Sequence, residues 1–331
     1  MRAIISHTTS GRLRAGGGAA AAALRLRAAE WEIALVEAPG RIELSVWGGS
    51  VALCPEAGGA EIEIRAPEER ILRLLQDSVT ELLAAHDLAI EWRDVAEGAL
   101  APGLSLMRVV AVGAPTPGFV RVRLAGPEAA RFGTGALHFR LLIPPRGRTG
   151  GPGADGAPVW PRIAASGRTV WPEGPDALHR PVFTTVAQGD DWLEFDIFRH
   201  TGSPACDWAG RLPLGETVGV MGPGGGGIAE GAPLLLYGDQ TALPAIRRML
   251  AARGAEARAV LRCAPADLGG LAGDPRVTLT RDLVAALPAQ APAPGAFLWF
   301  AASEPEARAA RAHLAALGIP RKAFMAAAYW S

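Results

Sequence analysis

The pattern of apolar and polar positions changes character twice along the chain. An Ala-rich stretch from Gly16 to Leu24 predicts a helix. Strands are predicted over Trp31–Val36 and Arg41–Trp47, with Pro39-Gly40 as the turn between them. Ser50–Leu53 and Glu61–Arg65 also have strand character, separated by Gly58-Gly59. Ile71, Leu74, Leu75, Val79, Leu82 and Leu83 then recur at helical spacing, so one face of that helix must be buried. Pro67-Glu68-Glu69 opens it, placing Pro and acids where unpaired N–H groups and the dipole favour them. Ile90–Val95 reads as a closing strand and 96–103 as a linker. Residues 1–97 are thus expected to form a small α+β domain.

From Leu104 the runs become short and Gly/Pro-punctuated. Met107–Val112, Phe119–Leu124, Leu137–Ile143, Val182–Val186, Trp192–Phe198 and Leu214–Met221 read as strands. The stretches 144–155 and 158–180 show no periodicity. Many short strands without a long helix predict an antiparallel β-barrel over 104–227. After Gly222-Pro-Gly-Gly-Gly-Gly227 the texture turns α/β. Strands at Pro233–Tyr237, Ala257–Cys263, Val277–Leu279 and Phe297–Ala301 alternate with helices at Leu243–Arg253 and Pro305–Leu317, the last ended by Gly318 and Pro320. Residues 231–331 therefore predict a parallel sheet, too short for two full nucleotide-binding halves.

Composition narrows the function classes. The 331 residues carry 33 Lys+Arg and 33 Asp+Glu, and this balance argues against a general nucleic-acid binder. No apolar run approaches the roughly 18 to 20 residues of a membrane span. Lys322 is the only lysine, so any cationic site must be built from arginine. Cys54, Cys206 and Cys263 lack C-x-x-C spacing and suggest neither a disulfide framework nor a zinc site, which fits a cytoplasmic chain. Arg12 and Arg14 precede the Ala-rich stretch as in an export signal. The stretch is weakly hydrophobic, however, and Arg25 and Arg27 follow at once, so it reads as a helix of the fold.

The most informative segment is Leu234–Ile246. A buried strand stops at Gly238, and Thr241 is placed to cap a helix whose first turn holds Pro244. That arrangement leaves N–H groups at the carboxyl end of a parallel strand, where dinucleotide phosphates bind. A capped strand–turn–helix with no ligand satisfies the same pattern, and no G-x-G-x-x-G is present.

Gly238-Asp-Gln-Thr-Ala-Leu-Pro-Ala-Ile246 resembles the signature of the siderophore-interacting protein family, flavin-dependent reductases related to ferredoxin reductases. Leu193–His200, Ser203-Pro-Ala-Cys-Asp-Trp-Ala209, Val218–Gly224, Phe297–Ala301 and Ala328-Tyr-Trp330 resemble other family segments in order. Residues 1–97 resemble a small domain often fused ahead of this family. The resemblance implies a ferredoxin-reductase-like pair of FAD-binding barrel and NADPH- or NADH-binding sheet. It implies reduction of a ferric siderophore; with the charge balance and apolar runs above, no nucleic-acid partner, no membrane span and a monomeric state are expected. On the flavin side it implies Arg180, Phe183, Thr184, His200, Pro204, Ala205 and Cys206; on the nicotinamide side, Gly238, Asp239, Thr241 and Ala242, with Tyr329 and Trp330 near the flavin. The family motif is Arg-x-Tyr-Ser/Thr, whereas here Arg180 precedes Phe183-Thr184 by one residue too many, which a bulge near Pro181 would restore. Arg140 would meet the anionic siderophore, and Arg258 and Arg262 lie near where a 2′-phosphate would be read. Two rival readings are a non-catalytic relative that binds a siderophore or partner without flavin, and a flavin reductase with another acceptor.

Overall fold

The computed structural model describes residues 7–31, 33–148 and 156–331. They pack as two compact units, the first formed by 1–104 with 159–177 and the second by 105–158 with 178–331.

The first unit is an antiparallel sheet with helices against one face. Its strands are β1 (His7–Leu13), β2 (Leu35–Ala38), β3 (Arg41–Val46), β4 (Gly49–Pro55), β5 (Ala60–Ala66) and β6 (Glu91–Trp92), in the order β2-β3-β4-β5-β1-β6. The helices are α1 (Gly17–Glu30) and α2 (Glu69–Ala84). Strand alternation sends Ile42, Leu44, Ile62 and Ile64 inward, where they meet Leu72, Leu75, Val79 and Leu83 of α2 and Leu24 of α1. β1 has no counterpart in the sequence pattern. Its only buried positions are Gly11 and Leu13, and Gly11 is filled from outside by Ile90 and Trp92. α1 runs to Glu30, so the strand expected from Trp31 begins only at Leu35. Val159–Ala177, expected within the 104–227 module, groups with this unit. It carries a short hairpin of β10 (Arg162–Ile163) and β11 (Thr169–Val170). Thr169 fastens the hairpin to α2, donating to Asp77 Oδ1 from its backbone N–H (2.9 Å) and its hydroxyl (2.8 Å).

The second unit joins a barrel to a parallel sheet. The barrel strands are β7 (Leu104–Gly113), β8 (Phe119–Ala125), β9 (His138–Leu142), β12 (Val182–Gln188), β13 (Trp192–Phe198) and β14 (Thr217–Gly224), closed in the order β12-β13-β8-β7-β14-β9. Val122, Leu124, Phe139, Leu141, Phe195 and Val220 fill its interior. Helix α3 (Pro204–Gly210) follows β13. The parallel sheet has β15 (Leu234–Asp239), β16 (Ala257–Arg262), β17 (Val277–Leu279), β18 (Phe297–Ser303) and β19 (Phe324–Trp330), ordered β17-β16-β15-β18-β19, with α4 (Leu243–Arg253) and α5 (Glu304–Ala316). The expected barrel and parallel sheet are therefore both present. Part of the loop expected over 144–155 lies outside the described residues.

Barrel and sheet share buried contacts. Phe119 and Leu137 of the barrel region pack into the core around α4. Asp196, whose side chain is fully buried, accepts from Arg121 Nε (2.7 Å) and Nη2 (2.8 Å), and Arg247 of α4 lies 3.7 Å away. Gly118 donates its N–H to Asp267 Oδ1 at 2.7 Å.

Candidate active site

The outer face of β9 and β12 follows from strand parity. Val182 pairs with Arg140, Phe183 with Phe139 and Thr184 with His138. Phe139 and Phe183 turn into the barrel, where the Phe183 ring lies 4.9 Å from that of Phe195. His138, Arg140, Val182 and Thr184 therefore face outward. Leu141 N–H donates to Pro181 O (2.9 Å), which extends the pairing back and puts Arg180 on the same outer face. Arg140 Nη1 donates to the Arg180 carbonyl at 2.9 Å, and both guanidinium-bearing side chains are exposed. This corrects the expectation in one respect. Arg180 needs no bulge near Pro181, because a spacing of two, then four, keeps it with Val182 and Thr184; the register shift in β12 lies between Thr185 and Ala187. Phe183 is the residue turned away, a partly buried barrel side chain rather than a free aromatic platform.

His138, on β9 two positions before Arg140, is a hydrogen-bonding hub. Its Nδ1 lies 3.0 Å from Thr184 Oγ1, and its Nε2 lies 3.0 Å from the Tyr329 hydroxyl. Burial, with the nearby Arg248 charge adding to it, depresses its pKa to about 4, so the imidazole is neutral at ordinary pH. A neutral ring donates through one nitrogen and accepts through the other, so the three side chains form one directional chain. Burial, reinforced by Asp239, pushes the Tyr329 phenol above its usual range, which keeps its proton in place. Gly225, at φ +80°, lies against this ring; a Cβ there would come within 2.7 Å of His138 Cδ2. The chain links barrel strands β9 and β12 to β19 of the sheet.

The carboxyl edge of the sheet is similarly organised. Gly238 is required because a Cβ would meet Ala242 Cβ at 2.6 Å and Ile246 Cδ1 at 2.7 Å. Asp239, fully buried, is the capping residue of the turn that leads into α4; Thr241 was expected in that role. Asp239 Oδ1 accepts from Thr241 N–H (2.9 Å) and Thr241 Oγ1 (2.6 Å). Its Oδ2 accepts from Trp330 Nε1 at 2.7 Å. Arg262, at the end of β16, makes a two-pronged ion pair with Glu306 of α5. Ala242, expected to line the nicotinamide side, is instead fully buried in the core around α4. Its methyl group packs against Gly238, which is why the strand and turn can approach so closely.

The remaining predicted residues form a separate group at the start of α3. Ser203 Oγ caps the helix by accepting from Cys206 N–H at 3.3 Å. Cys206 Sγ donates to Phe198 O (3.1 Å) and lies 4.0 Å from His200 Nδ1. The exposed His200 ring stacks on Phe198. Pro204 is exposed, but the Ala205 side chain is buried in the barrel core beside Trp208, so its methyl cannot line a ligand surface as expected. Trp208 is anchored by its Nε1, which donates to Glu216 Oε2 at 3.0 Å.

Residues 108–227 match the family model of the siderophore-interacting FAD-binding domain. An NADPH-dependent ferric-chelate reductase of Escherichia coli (strain K12) is 30% identical over 151 residues, 44% of this chain and 55% of that protein. The chain thus spans about half the length of that curated relative. A siderophore utilization protein from T. fusca is 26% identical, with a TM-score of 0.56 covering 72% of this chain and 95% of that one. The siderophore-interacting protein SipS from Aeromonas hydrophila shares the fold, at 24% identity and a TM-score of 0.54 over 69% of this chain and 91% of its own. The barrel that presents Arg140, Arg180 and Thr184 is the part of the chain that matches the siderophore-interacting FAD-binding domain.

Proposed function

We propose that this chain is a cytoplasmic, FAD-dependent NAD(P)H oxidoreductase that reduces ferric siderophores and releases iron(II). The observation that carries the reading is the His138 hub. It joins the outer barrel face to the last strand of the sheet, so a ligand on the barrel and one at the sheet edge would meet near Tyr329. The three cysteines are free, in keeping with a reducing compartment.

The residues present fit a flavin on the barrel. Two exposed arginines offer charge-assisted hydrogen bonds to phosphate. Val182, 54% exposed between them and Thr184, offers an apolar strip for a flat ring. When bound, FAD would accept a hydride from the nicotinamide and pass electrons singly to iron(III). The protein's part is to bind, orient and exclude water. Arg180 and Arg140 hold anionic groups; Thr184 presents a hydroxyl whose direction His138 sets; Tyr329 covers the junction and stays protonated. No general acid–base pair is required, because electron transfer depends on proximity and electrostatics. Iron(II) is the weaker partner for hard oxygen ligands, so reduction itself loosens the chelate.

The test is anaerobic: purified protein reconstituted with FAD, a nicotinamide donor, and a ferric siderophore with a chromogenic iron(II) chelator. Protein-dependent iron(II) release is the expected result. A rate equal to that without protein, in a sample shown to carry flavin, would refute the activity. Failure to bind flavin at all would refute the cofactor assignment.

A further inference from the structure

We infer that the pyridine nucleotide this chain accepts is the one without a 2′-phosphate, and that Glu306 enforces the choice. The inference rests on the nucleotide reading above and concerns the same sheet edge. Three strand ends meet there: Asp239 closes β15, Arg262 closes β16 and Ser303 closes β18. In parallel α/β sheets the adenosine ribose lies by the end of the second strand, where an acid reads a 2′-hydroxyl or an arginine reads a 2′-phosphate.

Arg262 is the arginine at that place, but its charge is already answered. Glu306 accepts from both terminal guanidinium nitrogens, Nη1 and Nη2, the latter at 2.9 Å. Ser303 Oγ donates to Glu306 Oε2 at 2.6 Å and holds the carboxylate in register. Asp239 Oδ2 lies a further 3.8 Å from the same guanidinium. The pair stays charged: its mutual hydrogen bonds raise the Arg262 pKa and lower that of Glu306. Asp282 adds another acidic charge that acts on Arg262. One guanidinium is thus paired with Glu306, lies near Asp239 and feels the charge of Asp282. Arg281, next to Asp282, is exposed.

A dianionic 2′-phosphate would have to displace Glu306 and would then sit among like charges. A 2′-hydroxyl needs neither step. The curated relative's name specifies NADPH; this edge is built for the opposite choice. Placing a phosphate against uncompensated carboxylates should weaken binding by about tenfold or more.

The experiment uses the purified full chain with 5′-AMP and 2′,5′-ADP as probes, titrated by calorimetry, so that no flavin turnover is needed. Wild type should bind 5′-AMP more tightly. Glu306→Gln should free Arg262, strengthen 2′,5′-ADP about tenfold and leave 5′-AMP within about twofold. Arg262→Gln in the Glu306→Gln background should remove that gain, which separates a freed cation from a general loosening; thermal melts check that each variant is folded. Tighter 2′,5′-ADP in wild type, or a ratio that Glu306→Gln does not move, would overturn the inference while leaving the nucleotide site intact. Binding of neither probe, with neither NADH nor NADPH oxidised, would remove the nucleotide reading and this choice with it.

Discussion

Replacing His138 by Gln tests the hub through its proton. Gln keeps a donor and an acceptor but cannot titrate, so it separates the hydrogen-bonding role of position 138 from its ionisation. Burial holds the folded-state pKa at about 4, against about 6.5 for an exposed imidazole. Because the folded value lies below the unfolded one, the unfolded chain takes up the proton first as pH falls. Stability from this group is therefore lost between about pH 6.5 and pH 4, and no further below about 4. Between pH 7 and pH 4.5 the difference in proton uptake amounts to about 2 kcal/mol, at 1.36 kcal/mol per pKa unit. The residue is only 9% exposed, so solvent screening removes little of this. Carboxylates also titrate in that range, and the measurement must be a difference. Urea unfolding of wild type and His138→Gln at both pH values, followed by tryptophan emission, gives it. Wild type should lose about 2 kcal/mol more than the variant on acidification. Equal losses, or a His138 ring that titrates near 6.5 by NMR in the folded protein, would refute the assignment of a buried neutral imidazole at the junction.

Other perturbations probe the surrounding frame. Asp196→Ala leaves Arg121 and the half-buried Arg247 without their carboxylate, and should destabilise by about 3–5 kcal/mol in thermal or denaturant melts, whereas an exposed pair such as Arg12–Glu56 should cost under about 1. Gly118→Ala would put a Cβ at 2.3 Å from Asp267 Oδ2, so it should break the Gly118–Asp267 hydrogen bond and cost on the order of 1–3 kcal/mol. Arg140→Ala together with Arg180→Ala should weaken FAD binding, read by flavin fluorescence titration, and the binding that remains should lose most of its salt dependence. Trp330→Phe removes the donor to Asp239 Oδ2 and, because that oxygen is buried, should cost about 1–3 kcal/mol; an unchanged melt would show that the indole bond is incidental.

The elements whose pattern carries its own period were legible: α2, with apolar residues every three or four positions, and the barrel strands, with inward Val122, Leu124, Phe139 and Leu141. β1 was not, because its only buried positions are Gly11 and Leu13, and the apolar surface over Gly11 arrives from Ile90 and Trp92. The candidate site divides along the same line. Gly238-Asp239-Gln240-Thr241 announces a tight turn at a strand end, and the sheet edge follows from it. What the line of residues cannot express is which way a side chain faces once two strands pair. Arg180 looked misplaced when counted from Phe183, yet the β9–β12 register makes Thr184 its true companion and sends Phe183 inward. Likewise Arg262 reads as a free cation in sequence, and only the fold brings Glu306, forty-four positions later, onto its guanidinium. The sign of a site is therefore set by the residues that topology delivers to it as much as by those its own motif supplies. For this chain, one glutamate converts what looks like a phosphate-reading arginine into the cation of a closed ion pair.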